Sequence, residues 1–380
     1  MNICILGWYG TETLGDRAIL EGILQIFEKI DNANKIYLGS LYPFFTERTL
    51  FEEEYLLNKL GIKSEIIVFN ERKGSQLKNY IRNADFVIMG GGPLMDLIEL
   101  DIIDAAFSFA KKMKKRTGLI GCGIGPLKKR EFRKSVYNII SNSDLCIFRD
   151  SNSLETAKIL CKRYGSMIKK NCLYSSLDPA ILPLQVLNRV EEDNKTNQIV
   201  VNYRDLGFQI ASQDKIQHVF HKLVDFTRNL SYLYEQVILL PNHTFYVGGD
   251  DRYFLSKIKI ELTDCTNIVV CQKPKSLLET FSIISCSEAA VAMRYHAILF
   301  QTLLNGNNYI LDYTDKKTGK INSFLKDIDL DGFYNNRVYD MSSNLQEIRF
   351  DFNKKKFVFD KSIYPDTLSF YVKCIEPLLK

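Results

Sequence analysis

Arg294 and His296 stand two residues apart in the stretch SEAAVAMRYHAILFQTLLN, which runs from Ser287 to Asn305. A guanidinium is always charged, while an imidazole exchanges its proton near neutrality. Side by side they suit chemistry on a phosphorylated acid, one holding the anion and the other moving a proton. The competing reading is a surface arginine next to a histidine packed in the core or capping a helix. Arg204 and Arg149 occupy similar settings: Ile199-Val200-Val201-Asn202-Tyr203 precedes Arg204, and Leu145–Phe148 precedes Arg149. For Arg149, followed by Asp150, a surface ion pair is the alternative. His243, after Leu239-Leu240-Pro241-Asn242, and Lys316, after Tyr309–Thr314, are secondary candidates.

Position along the chain gives these side chains their meaning. Ala289–Met293 is an apolar run of buried-strand length, Ala297–Leu304 reads as a helix, and Asn305-Gly306 ends it. Arg294 and His296 therefore fall where a strand hands over to a helix. In α/β proteins that edge binds ligands, and the helix start offers unpaired N–H groups to an anion. The apolar flanks would bury both charges unless they faced a cleft.

Two glycine-bearing loops follow the same strand-to-helix logic. Asn2–Leu6 is a strand, Gly7–Asp16 a loop, and Arg17 opens a helix to about Lys29. The spacing is not that of a dinucleotide fingerprint, and Asp16 either faces a ligand or caps the helix. Phe86–Met89 is a strand that ends in Gly90-Gly91-Gly92-Pro93-Leu94-Met95-Asp96, expected as a nest for an anion or a sugar. Phe44–Glu54, rich in aromatics and glutamates, is expected to form a flap.

Strands and helices alternate along both halves, which predicts two α/β domains with parallel sheets. Residues 1–185 form the first, 198–355 the second, and 356–380 a helix packing back on the first. The polar stretch Glu191–Asn197 is the expected linker. The 380 residues, 46% apolar and 25% charged, suffice for two cores. A net charge of +5 is too small to predict nucleic-acid binding and leaves mild attraction to anionic substrates or a membrane surface. Nine cysteines without a CxxC pair, and four histidines out of ligand register with them, argue against zinc and for buried thiols in a reducing compartment. No segment resembles a signal peptide or a membrane span, so a cytoplasmic protein is expected.

The ordered set GWYGTETLGDRAIL, GGGPLMD, GCGIGP, FRDSNS, DPA, NYRD, LPNH with GGDD, and MRYHAILF resembles the polysaccharide pyruvyl transferase family over about residues 3–325. The chain departs from the family pattern at Thr13, Asn242 and Tyr295. The resemblance implies two doubly wound, Rossmann-like domains in a glycosyltransferase-B-like architecture with an interdomain cleft. It implies transfer of a pyruvyl group from phosphoenolpyruvate to two hydroxyls of a sugar or lipid-linked oligosaccharide, giving a ketal. His296 would then be the proton donor, and Arg204, Arg294 and Arg149 would bind the donor. Gly10, Asp16, Gly91, Gly92 and Asp96 would lie on the acceptor side. No cofactor is expected; a divalent metal aiding the phosphate stays open. A nucleotide-sugar glycosyltransferase and a non-catalytic sugar-binding relative are the alternatives.

Overall fold

The structure, a computed structural model, describes residues 1–30, 35–165, 172–187, 196–207, 212–245, 247, 249–315, 319–341 and 355–379. It divides into two compact units, Met1–Pro183 with Lys361–Lys380, and Leu184–Asp360. Lys316 and most of the polar linker, including Glu191–Lys195, lie outside the described residues.

Unit 1 contains β1 (Asn2–Leu6), α1 (Leu14–Ile30), β2 (Lys35–Ser40), α2 (Pro43–Glu52), α3 (Glu54–Lys59), β3 (Glu65–Asn70), α4 (Gly74–Asn83), β4 (Phe86–Gly90), β5 (Pro93–Leu94), α5 (Leu100–Lys112), β6 (Arg116–Ile124), α6 (Arg130–Ser141), β7 (Leu145–Phe148), α7 (Ser151–Tyr164) and β8 (Leu173–Ser175). Its strands pair in parallel in the order β3-β2-β1-β4-β6-β7-β8, with β5 beside β6. Helices cover both faces, so a central strand needs apolar residues at every position rather than at alternate ones. Phe86-Val87-Ile88-Met89 meets that need, and all four are fully buried.

Unit 2 contains β9 (Thr196–Asn202), α8 (Gln213–Leu233), β10 (Gln236–Leu239), α9 (Asp251–Ile260), β11 (Ile268–Val270), α10 (Leu277–Cys286), β12 (Ser287–Ala292), α11 (Tyr295–Leu304), β13 (Asn308–Asp312), α12 (Lys320–Ile328) and β14 (Val338–Asp340). Its sheet is again parallel, in the order β11-β10-β9-β12-β13-β14. α13 (Ile363–Leu379) closes the chain and belongs to unit 1, where Tyr371 donates to the Leu177 carbonyl at 2.8 Å.

Each sheet reverses its winding once. In unit 1 the reversal lies between β1 and β4, and in unit 2 between β9 and β12. The connections that follow two such strands run to opposite faces and leave a crevice at their carboxyl ends. Both glycine-bearing loops follow β1 and β4, while Arg204 and Arg294 follow β9 and β12.

The expected flap at Phe44–Glu54 is instead helical. Pro43 occupies the first turn of α2, where its missing N–H costs nothing, and Thr46 and Thr49 pack inward three residues apart. Helix α4, which the sequence did not suggest, buries only Leu77 and Ile81, one turn apart. That is too thin an apolar stripe to stand out by periodicity.

Candidate functional site

The carboxyl edge of the second sheet is built around Asn202. At the end of β9 this buried side chain donates to the Leu240 carbonyl at 3.0 Å and accepts the Arg294 backbone N–H at 3.2 Å. One amide thus ties together the exits of β9, β10 and β12. Tyr203 turns into the core and meets Thr227 at 3.2 Å, which leaves Arg204 at the rim.

Arg294 is the N-cap residue of α11, and its guanidinium is already engaged. Nε donates to both oxygens of Asp251, at 2.9 and 2.7 Å, and Nη2 donates to Oδ1 at 2.5 Å and to the Gly249 carbonyl at 3.3 Å. Asp251 is 2% exposed, and its Oδ2 also accepts the backbone N–H groups of Asn242 and His243 at 3.0 and 3.1 Å. The sequence suggested a fork open to the donor; the structure has one edge of it held by a carboxylate. Burial disfavours the Arg294 charge, and Asp251 more than restores it, raising the basicity above the usual arginine value.

Arg204 lies beside it electrostatically. Its Nη1 donates to the Tyr313 hydroxyl at 2.9 Å, and its guanidinium sits 5.0 Å from the centre of that ring. Burial lowers its basicity; Tyr313 opposes the shift and the Arg294 charge adds to it. Tyr313 itself responds strongly. Burial alone would raise its pKa, but Lys320, Arg204 and Arg294 bring it down to about 8. Sequence reasoning missed Tyr313, although it directly follows β13 just as the arginines follow β9 and β12.

His296 is the second residue of α11 and is half-buried. Its ring meets Tyr295 edge-on at 4.9 Å and Phe300 at 6.2 Å. Lys320, the first residue of α12, has its ammonium 6.0 Å from the Tyr295 ring. His243 is brought to the same edge, buried, with its backbone anchored on Asp251. The structure therefore gathers Arg204, Arg294, His296 and His243 on one unit and adds Asp251, Tyr313 and Lys320.

Arg149 belongs to unit 1 and is 3% exposed. Its Nη1 pairs with Asp178 at 3.4 Å and its Nε approaches Asp150 at 3.7 Å. It is neither a surface ion pair nor an open clamp residue. Gly123 makes room for it: a Cβ there would lie 2.6 Å from Arg149 Nε.

The loops at the first switch point also differ from expectation. Gly91 and Gly92 adopt positive φ, 99° and 71°, but the space beside them is filled. A Cβ on Gly92 would run into the Trp8 indole, whose Nε1 donates to the Pro93 carbonyl at 3.0 Å, and Tyr9 donates to the Gly90 carbonyl. The triple glycine admits two aromatic side chains from the first loop rather than forming an open nest. Asp96 ties two loops together by accepting the Lys128 and Lys129 backbone N–H groups at 2.8 and 3.1 Å. Gly10 and Asp16 do line one small cleft, with Trp8, Tyr9, Thr13 and Arg17. Asp16 accepts from Thr13, across the first turn of α1. Behind the cleft, Arg17 pairs with Glu12, Glu52 and Glu53 at 2.7, 2.8 and 3.3 Å.

Glu71, unremarked in the sequence, is buried just beyond β3 and accepts the Gly7 backbone N–H, while its Oε2 has no hydrogen-bond partner. Burial is the main reason its pKa stands at about 8. Among the described residues no group of three His, Cys, Asp or Glu side chains is arranged to hold a metal ion.

The family model for polysaccharide pyruvyl transferase matches residues 14–315. The chain belongs to the polysaccharide pyruvyl transferase family. The match takes in most of both units and places this transferase in polysaccharide modification. Among solved structures, Staphylococcus aureus MnaA in complex with UDP superposes with a TM-score of 0.54 at 12% identity, over 89% of this chain and 83% of that one. A UDP-GlcNAc 2-epimerase of Methanocaldococcus jannaschii gives 0.53 at 12%, over 100% and 93%. A putative UDP-N-acetylglucosamine 2-epimerase of Listeria monocytogenes gives 0.51 at 13%, over 83% and 79%. At such identities the likeness is one of fold, the two-domain architecture shared by B-type glycosyltransferases and these epimerases. A search of curated proteins found no match. Among the described residues no helix of this pyruvyl transferase family member is long and apolar enough to cross a membrane.

Proposed function

We propose that the protein transfers the pyruvyl group of phosphoenolpyruvate to two hydroxyls of a sugar in a cell-surface polysaccharide precursor, forming a ketal and releasing phosphate. The observation that carries this reading is the meeting of Arg204 and Arg294 at the switch point of unit 2, with His296 in the first turn of the helix that Arg294 caps. A donor with a carboxylate and a phosphate needs several cations, and Arg204, Arg294 and Lys320 supply them around Tyr313. Asp251 fixes the direction of Arg294 and neutralises part of its charge, so Arg294 and Arg204 repel one another less while the site is empty.

In this reading His296 gives a proton to the donor's methylene carbon. The carbon bearing the phosphate becomes electrophilic, a sugar hydroxyl adds there, phosphate leaves, and a second hydroxyl closes the ring. Acceptor recognition is assigned to the cleft of unit 1 that contains Gly10 and Asp16. The reaction is placed in the cytoplasm, in keeping with nine cysteines that form no disulfide.

Titration calorimetry with phosphoenolpyruvate, UDP and UDP-N-acetylglucosamine tests the proposal. Binding of phosphoenolpyruvate that neither UDP compound displaces is the expected result. Binding of a UDP compound with none of phosphoenolpyruvate would favour glycosyl chemistry, since two of the similar structures carry UDP or UDP-GlcNAc.

A further inference from the structure

The proposed reaction moves more protons than one imidazole handles. Each turnover removes two protons from sugar hydroxyls, delivers one to the methylene carbon of phosphoenolpyruvate and sends one away with phosphate. The group that protonates carbon cannot also be the base for the attacking oxygen in the same step. A second proton-transfer group is required, and one side chain at this edge has the geometry for it.

Resting on the reading above, we propose that Tyr313 is that group: its phenolate takes the proton of the hydroxyl that attacks the donor carbon. Tyr313 leaves β13 next to the strand that delivers Arg294 and His296. Its oxygen accepts from Arg204 Nη1 at 2.9 Å, and the Arg204 guanidinium lies 5.0 Å from its ring centre. The charges that act on it are Lys320 at the start of α12, Arg204 beyond β9 and Arg294 at the start of α11; Asp251 on α9 balances Arg294, and Asp312 of β13, paired with Asp340 of β14, shares the charge of Lys320. Together Lys320, Arg204 and Arg294 outweigh burial and favour the phenolate, and its pKa of about 8 makes it a competent base near neutral pH.

The cycle then closes. The Tyr313 phenolate accepts the first hydroxyl proton as that oxygen bonds to the donor carbon and protonated His296 gives its proton to the methylene carbon. The carbon–oxygen bond to phosphate breaks, and Tyr313 passes its proton to the departing phosphate. The second hydroxyl adds to the same carbon and its proton returns His296 to the charged form. Both side chains end as they began.

The experiment uses the full chain and Tyr313→Phe, which keeps the ring under Arg204 and removes only the oxygen. Tyrosinate absorbance is titrated without donor; phosphoenolpyruvate binding is measured by calorimetry; and slow phosphate release from phosphoenolpyruvate is followed with water in place of the sugar hydroxyl. The expected result is one tyrosine ionising near pH 8 in the parent and missing from the variant, ordinary tyrosines ionising at about 10. Tyr313→Phe should bind the donor within a few-fold of the parent, release phosphate roughly 10²–10⁴-fold more slowly, and lose the limb of the pH–rate profile near pH 8. No such ionisation overturns the proposal. So does a variant that only raises KM and keeps the pH profile, which would make Tyr313 a positioning residue for Arg204. A parent that does not bind phosphoenolpyruvate sinks the functional reading and the proposal with it; a parent that binds and turns over alongside an equally active variant sinks the proposal alone.

Discussion

Replacing Asp251 by Asn tests the electrostatic core of the site. The substitution keeps the shape of the side chain and an oxygen able to accept the Asn242 and His243 backbone N–H groups, now at 3.0 and 3.1 Å. It removes the charge that faces Arg294 across contacts of 2.5 to 2.9 Å. Breaking a buried pair by deleting one partner costs about 3–5 kcal/mol, because the other charge is left without compensation. The Arg294 side chain keeps 13% of its surface in solvent, so a loss near 3 kcal/mol is expected. Asp251→Ala should cost more, since two buried N–H groups then lose their acceptor at about 1–3 kcal/mol each. Set against a typical total of about 5–15 kcal/mol, that threatens the folding of unit 2. Urea unfolding followed by far-ultraviolet circular dichroism measures the loss. The sole tryptophan, Trp8, lies in unit 1, so its fluorescence serves as an internal comparison that should shift less. Phosphoenolpyruvate should raise the midpoint of Asp251→Asn by more than it raises the parent's, because the donor supplies the missing counter-charge. A loss below about 1 kcal/mol for Asp251→Asn would refute the view that this carboxylate holds Arg294 in place.

Arg204→Lys and Arg294→Lys should both weaken phosphoenolpyruvate binding, since a point charge replaces a planar fork. Only Arg294→Lys should also lower stability, because only there is a fork matched to a buried carboxylate; equal donor affinity in both variants and the parent by calorimetry would defeat the assignment. His296→Ala should bind donor and melt like the parent yet turn over roughly 10²–10⁴-fold more slowly in a single-turnover assay, whereas a lowered melting temperature with a near-parental rate would reduce the residue to a helix cap. Glu71 holds its proton in the folded state up to about pH 8 against an ordinary 4.5, so its favourable share of stability is complete below 4.5 and is lost as pH rises toward 8. At 1.36 kcal/mol for each pH unit between those values the loss is roughly 5 kcal/mol, and Glu71→Gln, which cannot ionise, should not show it; parallel stability–pH curves for parent and variant would contradict the burial argument.

Much of this molecule was written in short-range patterns. Unbroken apolar runs such as Phe86–Met89 and Ala289–Ala292 marked strands covered on both faces, and the residues just beyond them marked the edge where ligands bind. The same positions picked out Arg204, Arg294 and His296, which the structure gathers at the carboxyl edge of the second sheet. The family, too, was legible in the order of the motifs and was then met by the match over residues 14–315.

What the sequence could not decide is what each charge faces. Arg294 and Asp251 are 43 positions apart, and Arg204 and Tyr313 are 109 apart. No local spacing encodes those encounters, because parallel strands meet only after long crossovers. Arg149 and Arg294 look alike in sequence, each a cation after a buried strand, yet one is enclosed with Asp178 and the other caps a helix at a switch point. Gly91 and Gly92 signalled an approach by something close, and the tertiary fold put Ile19 beside the first and Trp8 beside the second. Local sequence fixes backbone conformation and the side of a strand a residue leaves from; the sign and distance of the charges around it arise only when distant strands lie side by side in the sheet.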